Sequence, residues 1–198
     1  IDWIESENEY WLETEATLRQ IFDVNTGTKI DAMAPMKYKS KMKAVYEAAG
    51  VKACRYHLVY DYEGCVNFLN EVGYPVVVKP DNGVGASDTH KISSDEELNT
   101  FFANKWDGVE YIMEEFVNAE VNSYDAIIDS NGEPIFETGN VTPNSIMDVV
   151  NNIDNSIYYI VNELTPEMLR RLQMIELELL VEVDRICKKC GIRYQIIA

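Results

Sequence analysis

The sequence predicts an α+β fold, in which antiparallel sheets carry flanking helices and βαβ units do not alternate. Three observations lead there. Residues 121–128 and 134–141 are strand-like runs around Asp129-Ser130-Asn131-Gly132, and Asn-Gly between two such runs is a strong hairpin signal. Val76, Val77 and Val78 form a β-branched run, followed by a glycine-containing turn and a short strand at 90–92 that pairs back. Helical segments are scattered among these strand pairs, and no internal repeat or low-complexity tract interrupts them.

In chain order, residues 5–22 read as a helix with Tyr10, Leu12, Leu18 and Ile21 among acidic residues. Residues 23–34 form a loop around Asn25-Thr26-Gly27. A second helix spans 39–49, and Gly50 suits its C-terminal stop. A strand at 54–59, a helix at 62–72 and a strand at 76–79 follow, and Pro80 is expected to end regular pairing. Residues 81–87 make a loop with glycines at 83 and 85. Ser94 caps a helix over 94–103, with Glu97 at capping-box spacing. A strand at 111–117 ends in acidic residues, ahead of the hairpin. After residue 162 the pattern changes. Thr165, Pro166 and Gly191 bound a long amphipathic helix whose apolar stripe includes Leu169, Leu172, Ile175, Leu179, Val183 and Ile186, and a terminal strand at 192–197 ends the chain. Two parts are therefore expected, 1–162 and 163–198.

Composition narrows the partners. The 198 residues hold 17 Lys+Arg against 34 Asp+Glu, a formal net charge of −17. That excludes nonspecific nucleic-acid binding, which rests on neutralising phosphates, and adsorption to an anionic membrane surface. No run of about 18 apolar residues occurs, so no membrane insertion is expected. There is no basic or apolar leader and no initiator Met; the expectation is a cytoplasmic protein whose chain is a fragment or has been trimmed. Four cysteines are read as free thiols. Cys187-Lys-Lys-Cys190 has CxxC spacing but no second pair to complete a zinc site, so no metal site is assigned.

The positive charge at residues 37–43 is a local exception in an acidic chain, a place for an anionic ligand. Lys79 ends the Val76–Val78 run beside the glycine loop. Glycines let backbone N–H groups approach an anion, and lysine adds a compact charge. The loop is neither a Walker A sequence nor a Gly-x-Gly-x-x-Gly fingerprint.

Taken with Tyr111-Ile-Met-Glu-Glu-Phe-Val117 and Glu120-Val-Asn-Ser-Tyr-Asp125, these pieces make residues 5–161 resemble the ATP-grasp superfamily. The resemblance implies an ATP-binding site. Lys39, three residues before Met42, and Lys79 would hold the phosphates, with Lys41 as the alternative to Lys39. The loop bearing Gly83, Gly85 and Ser87 would close over the β- and γ-phosphates. Glu114, Glu115 and Val117 would form the hinge whose backbone pairs with adenine, and Glu120 would accept from the ribose, although Asp125 follows it one residue later than in many members. ATP is the implied cofactor. Magnesium is expected in the parent family, but its late acidic ligands are not identifiable in this chain, and no catalytic residue is assigned. Residues 163–198 resemble the start of the LicD family, which transfers phosphocholine-type or nucleotidyl groups, and stop before that family's acidic motif. The chain thus reads as an incomplete ATP-grasp module joined to a LicD-like start, through a mosaic gene or missing intervening residues. Two functions follow: the ATP-binding module of a carboxylate-activating ligase, inactive alone, or a non-catalytic binding or tethering domain for a partner protein or the remaining LicD-like domain.

Overall fold

The computed structural model describes residues 1–6, 8–48, 50–119, 121–128 and 134–144, together with 147, 149, 155 and 157–161. The predicted helix and strand within 163–198, the hairpin turn at 129–132 and Glu120 lie outside the described residues.

The fold is α+β with antiparallel sheets, as predicted. Its elements are α1 Leu12–Ile21, α2 Ala34–Lys37, α3 Lys39–Ala48, β1 Tyr56–Leu58, α4 Tyr62–Val72, β2 Val76–Pro80, β3 His90–Ile92, α5 Asp95–Asn104, β4 Tyr111–Glu115, β5 Val121–Ile128, β6 Pro134–Thr142 and β7 Tyr159–Val161. One sheet has the order β1-β4-β2-β3, the other β5-β6-β7, with all pairs antiparallel.

Strand parity divides the first sheet into a core face and a site face. Side chains alternate along a strand, so Val76, Val78 and Pro80 are buried on one side while Val77 and Lys79 take the other. Val76, Val78, Ile92, Tyr111 and Met113 meet Cys65, Phe68 and Leu69 of α4 and Leu98 and Phe101 of α5 in one apolar cluster. These two helices were readable locally. Asp61 accepts from the Gly64 N–H and Gly73, at φ 75°, ends α4. Ser94 accepts from Glu97 N, and the Glu97 carboxylate accepts from Ser93 N at 2.6 Å, a variant of the expected capping box.

The N-terminal third differs from its prediction. Helix begins only at a 3-10 turn, Glu9–Trp11, because Asn8 caps it by accepting from Tyr10 N. The segment before it is used in tertiary contacts: buried Arg19 donates to the Ile4 carbonyl and pairs with Glu5 and Glu15 at 3.1 and 3.0 Å. The loop predicted at 23–34 also holds a 3-10 turn at Ile30–Ala32, and α2 begins at its last residue, Ala34. Extended Tyr38 separates α2 from α3. The β2 ladder ends at Pro80 as expected, with Pro80 itself its last residue, opposite Tyr111, and Asp81 N adds one further bond to the Glu110 carbonyl.

Candidate nucleotide-binding site

On the site face, Lys79 lies opposite Ile112, and Glu114 is two residues further along β4. That diagonal lets long side chains meet. Lys79 Nζ pairs with Glu114 Oε2 at 2.5 Å. The other carboxylate oxygen, Oε1, pairs with Lys43 Nζ at 3.0 Å. Lys43 stands one helical turn after Lys39, on the face of α3 that covers this side of the sheet. Burial by itself would raise the Glu114 carboxyl, but Lys79 and Lys43 together outweigh it and hold the pKa below the ordinary value. Lys43 is the converse case. Burial would lower it, and Glu114 carries it above the usual lysine value.

Helix α3 is docked on the turn after β2 by its N-terminus. The Asp81 carboxylate accepts from Ser40 N at 2.8 Å and Ser40 Oγ at 2.6 Å, capping the helix where its free N–H groups favour negative charge. Lys39 N donates to the Asp81 carbonyl at 2.9 Å. Asp81, predicted to belong to an open loop, is therefore a buried anchor, 3% exposed.

Lys39 is the third cation. Its ammonium donates to the carbonyls of Pro80, Asp81 and Gly83 at 3.2, 3.3 and 2.7 Å, so the turn wraps its backbone around this lysine. Burial lowers the Lys39 pKa and the neighbouring Lys79 charge lowers it further. Lys41 is exposed, so the structure brings Lys39, not Lys41, to Lys79.

The turn is pinned at its far end too. Asp88, at φ 53°, accepts from the Tyr111 hydroxyl and lies 2.6 Å from His90 Nε2. Between the anchors, Gly83 fits because a Cβ there would come within 2.9 Å of the Pro80 ring, and Gly85 because its φ is +62°. Ser87 N bonds back to the Val84 carbonyl at 3.2 Å.

The remaining predicted residues separate from this cluster. Glu115, by parity, faces away from Glu114. Its carboxylate accepts from Arg55 N and Nε at 2.8 and 2.7 Å, and that hydrogen bonding holds its pKa below the ordinary range. Its N–H donates to the Arg55 carbonyl, and both Glu114 and Glu115 sit in ladder positions. The ladder ends at Glu115; beyond it, Lys91 Nζ lies 4.1 Å from the Phe116 ring centre, and Val117 is exposed. Two residues outside the prediction join this cluster, Ser40 and Lys43, and Asp81, predicted within the loop, serves as a cap. Lys43 had a readable signal, since residues four apart share a helix face. The Asp81–Ser40 contact spans 41 residues and left no local trace. Among the described residues no cluster of three His, Cys, Asp or Glu side chains is arranged to hold a metal. No described helix is long and apolar enough to cross a membrane.

No protein-family model and no curated protein matches this sequence. Solved structures do match the fold. An L-amino acid ligase from Bacillus licheniformis superposes with a TM-score of 0.65 at 16% identity, covering 92% of this chain and 42% of that one. A D-alanine–D-alanine ligase from Bacillus anthracis complexed with ATP gives 0.62 at 16% identity, covering 86% and 55%. The biotin carboxylase domain of the Hydrogenobacter thermophilus 2-oxoglutarate carboxylase, in complex with MgADP, ADP and bicarbonate, gives 0.63 at 18% identity, covering 92% and 40%. The fold is ATP-grasp-like, and the chain spans about half the length of these proteins or less.

Proposed function

We propose that this chain is the ATP-binding module of an ATP-grasp ligase-like protein, with the phosphates held between Lys39 and Lys79 beneath the turn at 81–87. One observation carries the reading. Two ammonium groups from different elements converge at a glycine turn and repel each other, inside a chain of net charge −17. An anion relieves that repulsion. The residues present fit a triphosphate: Lys39 now donates to neutral carbonyls, and a phosphate oxygen would bring the opposite charge to that ammonium. The backbone beyond the β4 ladder at Phe116 and Val117 suits the adenine edge, and Glu120 suits the ribose hydroxyls. The two solved structures that contain ATP or MgADP share the fold and support the same reading.

Magnesium, when bound with the nucleotide, would neutralise charge between phosphates. The residues that hold it in a parent enzyme are not assigned. The second reading is a non-catalytic nucleotide-binding or tethering domain, attached through residues 163–198 to a LicD-like transferase in the cytoplasm. It is favoured by two carboxylates beside the lysines being already engaged: Glu114 by two ammonium groups and Asp81 by Ser40.

Isothermal titration with ATP, with and without magnesium, tests the site. Saturable one-to-one binding is expected, and no binding in either condition overturns it. Neither reading has this chain turn over ATP alone, so magnesium-dependent ADP release from the purified chain would overturn both; ATP affinity that rises with magnesium favours the ligase module, and affinity indifferent to magnesium favours the tethering domain.

A further inference from the structure

Lys43 is as buried as Glu114: both side chains are 10% exposed, against 27% for Lys79. Burying an ammonium is costly unless it is paired, and Lys43 is paired three ways, with Glu114 Oε1 and with the Cys54 carbonyl and sulfur at 3.4 and 2.9 Å. Such a residue acts on the site only through what it holds. It holds one oxygen of the carboxylate whose other oxygen holds Lys79.

We propose that Lys43 is a positioning residue for phosphate binding: it draws on Glu114 so that this carboxylate orients Lys79 without cancelling its charge. The argument is a charge count within contact distance. With Lys43 in place, one carboxylate is shared between two ammonium groups, so Lys79 keeps a surplus of positive charge for a ligand. Without it, Glu114 and Lys79 form a one-to-one pair that attracts an anion less, and the freed Oε1 no longer fixes the carboxylate plane. The Tyr56 ring, 5.6 Å from Lys43 Nζ, and the Cys54 contacts hold the lysine in the orientation this needs. The inference rests on the phosphate-site reading above.

Tripolyphosphate and adenosine, titrated separately by calorimetry, provide the test. Lys43→Met should weaken tripolyphosphate binding about 3- to 10-fold, in the lower part of the range of couplings between contacting groups. Adenosine affinity should stay unchanged, and Lys43→Arg should restore most of the loss. In a Glu114→Gln background, Lys43→Met should cause no further loss, because the relay is already cut. Equal loss of both ligands would mean that Lys43 merely supports the fold, and unchanged tripolyphosphate binding would remove its role; either overturns the proposal. If Lys43→Met does not fold, Lys43→Arg and Glu114→Gln decide instead: the proposal requires Glu114→Gln to alter tripolyphosphate affinity while sparing adenosine. A wild-type chain that binds neither tripolyphosphate nor ATP overturns the site reading itself, a result distinct from these.

Discussion

Lys39 and Lys79 differ in what surrounds them, and the difference sets what each substitution does. Lys79 has one carboxylate partner, whereas Lys39 is clasped by three carbonyls. Removing a charge-assisted contact costs about 1.5–3 kcal/mol, so Lys79→Ala should weaken ATP about tenfold or more by calorimetry. Lys39→Ala should weaken it similarly and also loosen the turn, while exposed Lys41→Ala should do neither. Lys39 titrates below the ordinary lysine value of 10.5. ATP affinity should therefore fall as pH rises, beginning before an unperturbed lysine loses its proton. A pH series of ATP titrations comparing wild type with Lys39→Arg checks this, because an arginine stays charged throughout.

The same residues make a stability statement with a definite sign. Glu114 is held below its ordinary 4.5 in the fold, so its contribution is present above that value and is lost as pH falls through the lower folded one. Lys43 is held above 10.5, so its contribution is present below that value and is lost as pH rises through the folded one. Glu114→Gln should therefore flatten the acid limb of a denaturation-against-pH curve. An acid limb identical to wild type would show that another carboxylate governs it.

At the scale of elements, the turn between β2 and β3 is held by Asp81 at one end and Asp88 at the other. Asp81→Ala leaves Ser40 N and Oγ without their acceptor and should destabilise the chain by about 1–3 kcal/mol in urea titrations. Between the anchors, amides of 82–87 should exchange quickly in the free protein and slow when ATP is added; exchange indifferent to saturating ATP would argue against a phosphate cover. The two glycines separate by mechanism. Gly83→Ala meets the rigid Pro80 ring, a close contact of the kind that costs about 1–3 kcal/mol, and disturbs the carbonyl that holds Lys39. Gly85→Ala meets open space and bears only the left-handed backbone cost of about 1–2 kcal/mol, which an asparagine there should reduce.

This scale also shows what the sequence could reveal. Helices α4 and α5, strand β4 and the β5–β6 pairing were legible because their signals are local: a cap, a glycine stop, a β-branched run. The start of α1 was not, because acidic residues 5 and 15 look helical in sequence but serve Arg19 in space. Parity along β4 could have separated Glu114 from Glu115, since adjacent strand residues face opposite ways. The identity of their partners, Lys43 and Arg55, depends on tertiary placement that no window of sequence contains.

For the whole molecule, charge acts in two opposing directions, and salt distinguishes them. A net charge of −17 repels itself in the compact state, and about 0.15 M salt shortens the reach of that repulsion to roughly 8 Å. Added sodium chloride should therefore raise the melting temperature of the free protein. The candidate site runs against the rest of the molecule: Lys39, Lys43 and Lys79 gather there around Glu114, and its ligand is an anion. The acidic surroundings repel that ligand at long range, while Lys39 and Lys79 attract it at contact. Salt screens the first more than the second, because exposed charges are screened more than half-buried ones. Modest salt should consequently leave ATP affinity nearly flat, whereas a chain binding ATP only through exposed lysines would lose affinity steadily. Calorimetry and thermal melts over the same salt series read both effects on one sample. Rising stability with flat affinity is the expected pair, and a steep loss of affinity at low added salt would place the bound nucleotide on an exposed surface and not among Lys39, Lys79 and the turn at 81–87.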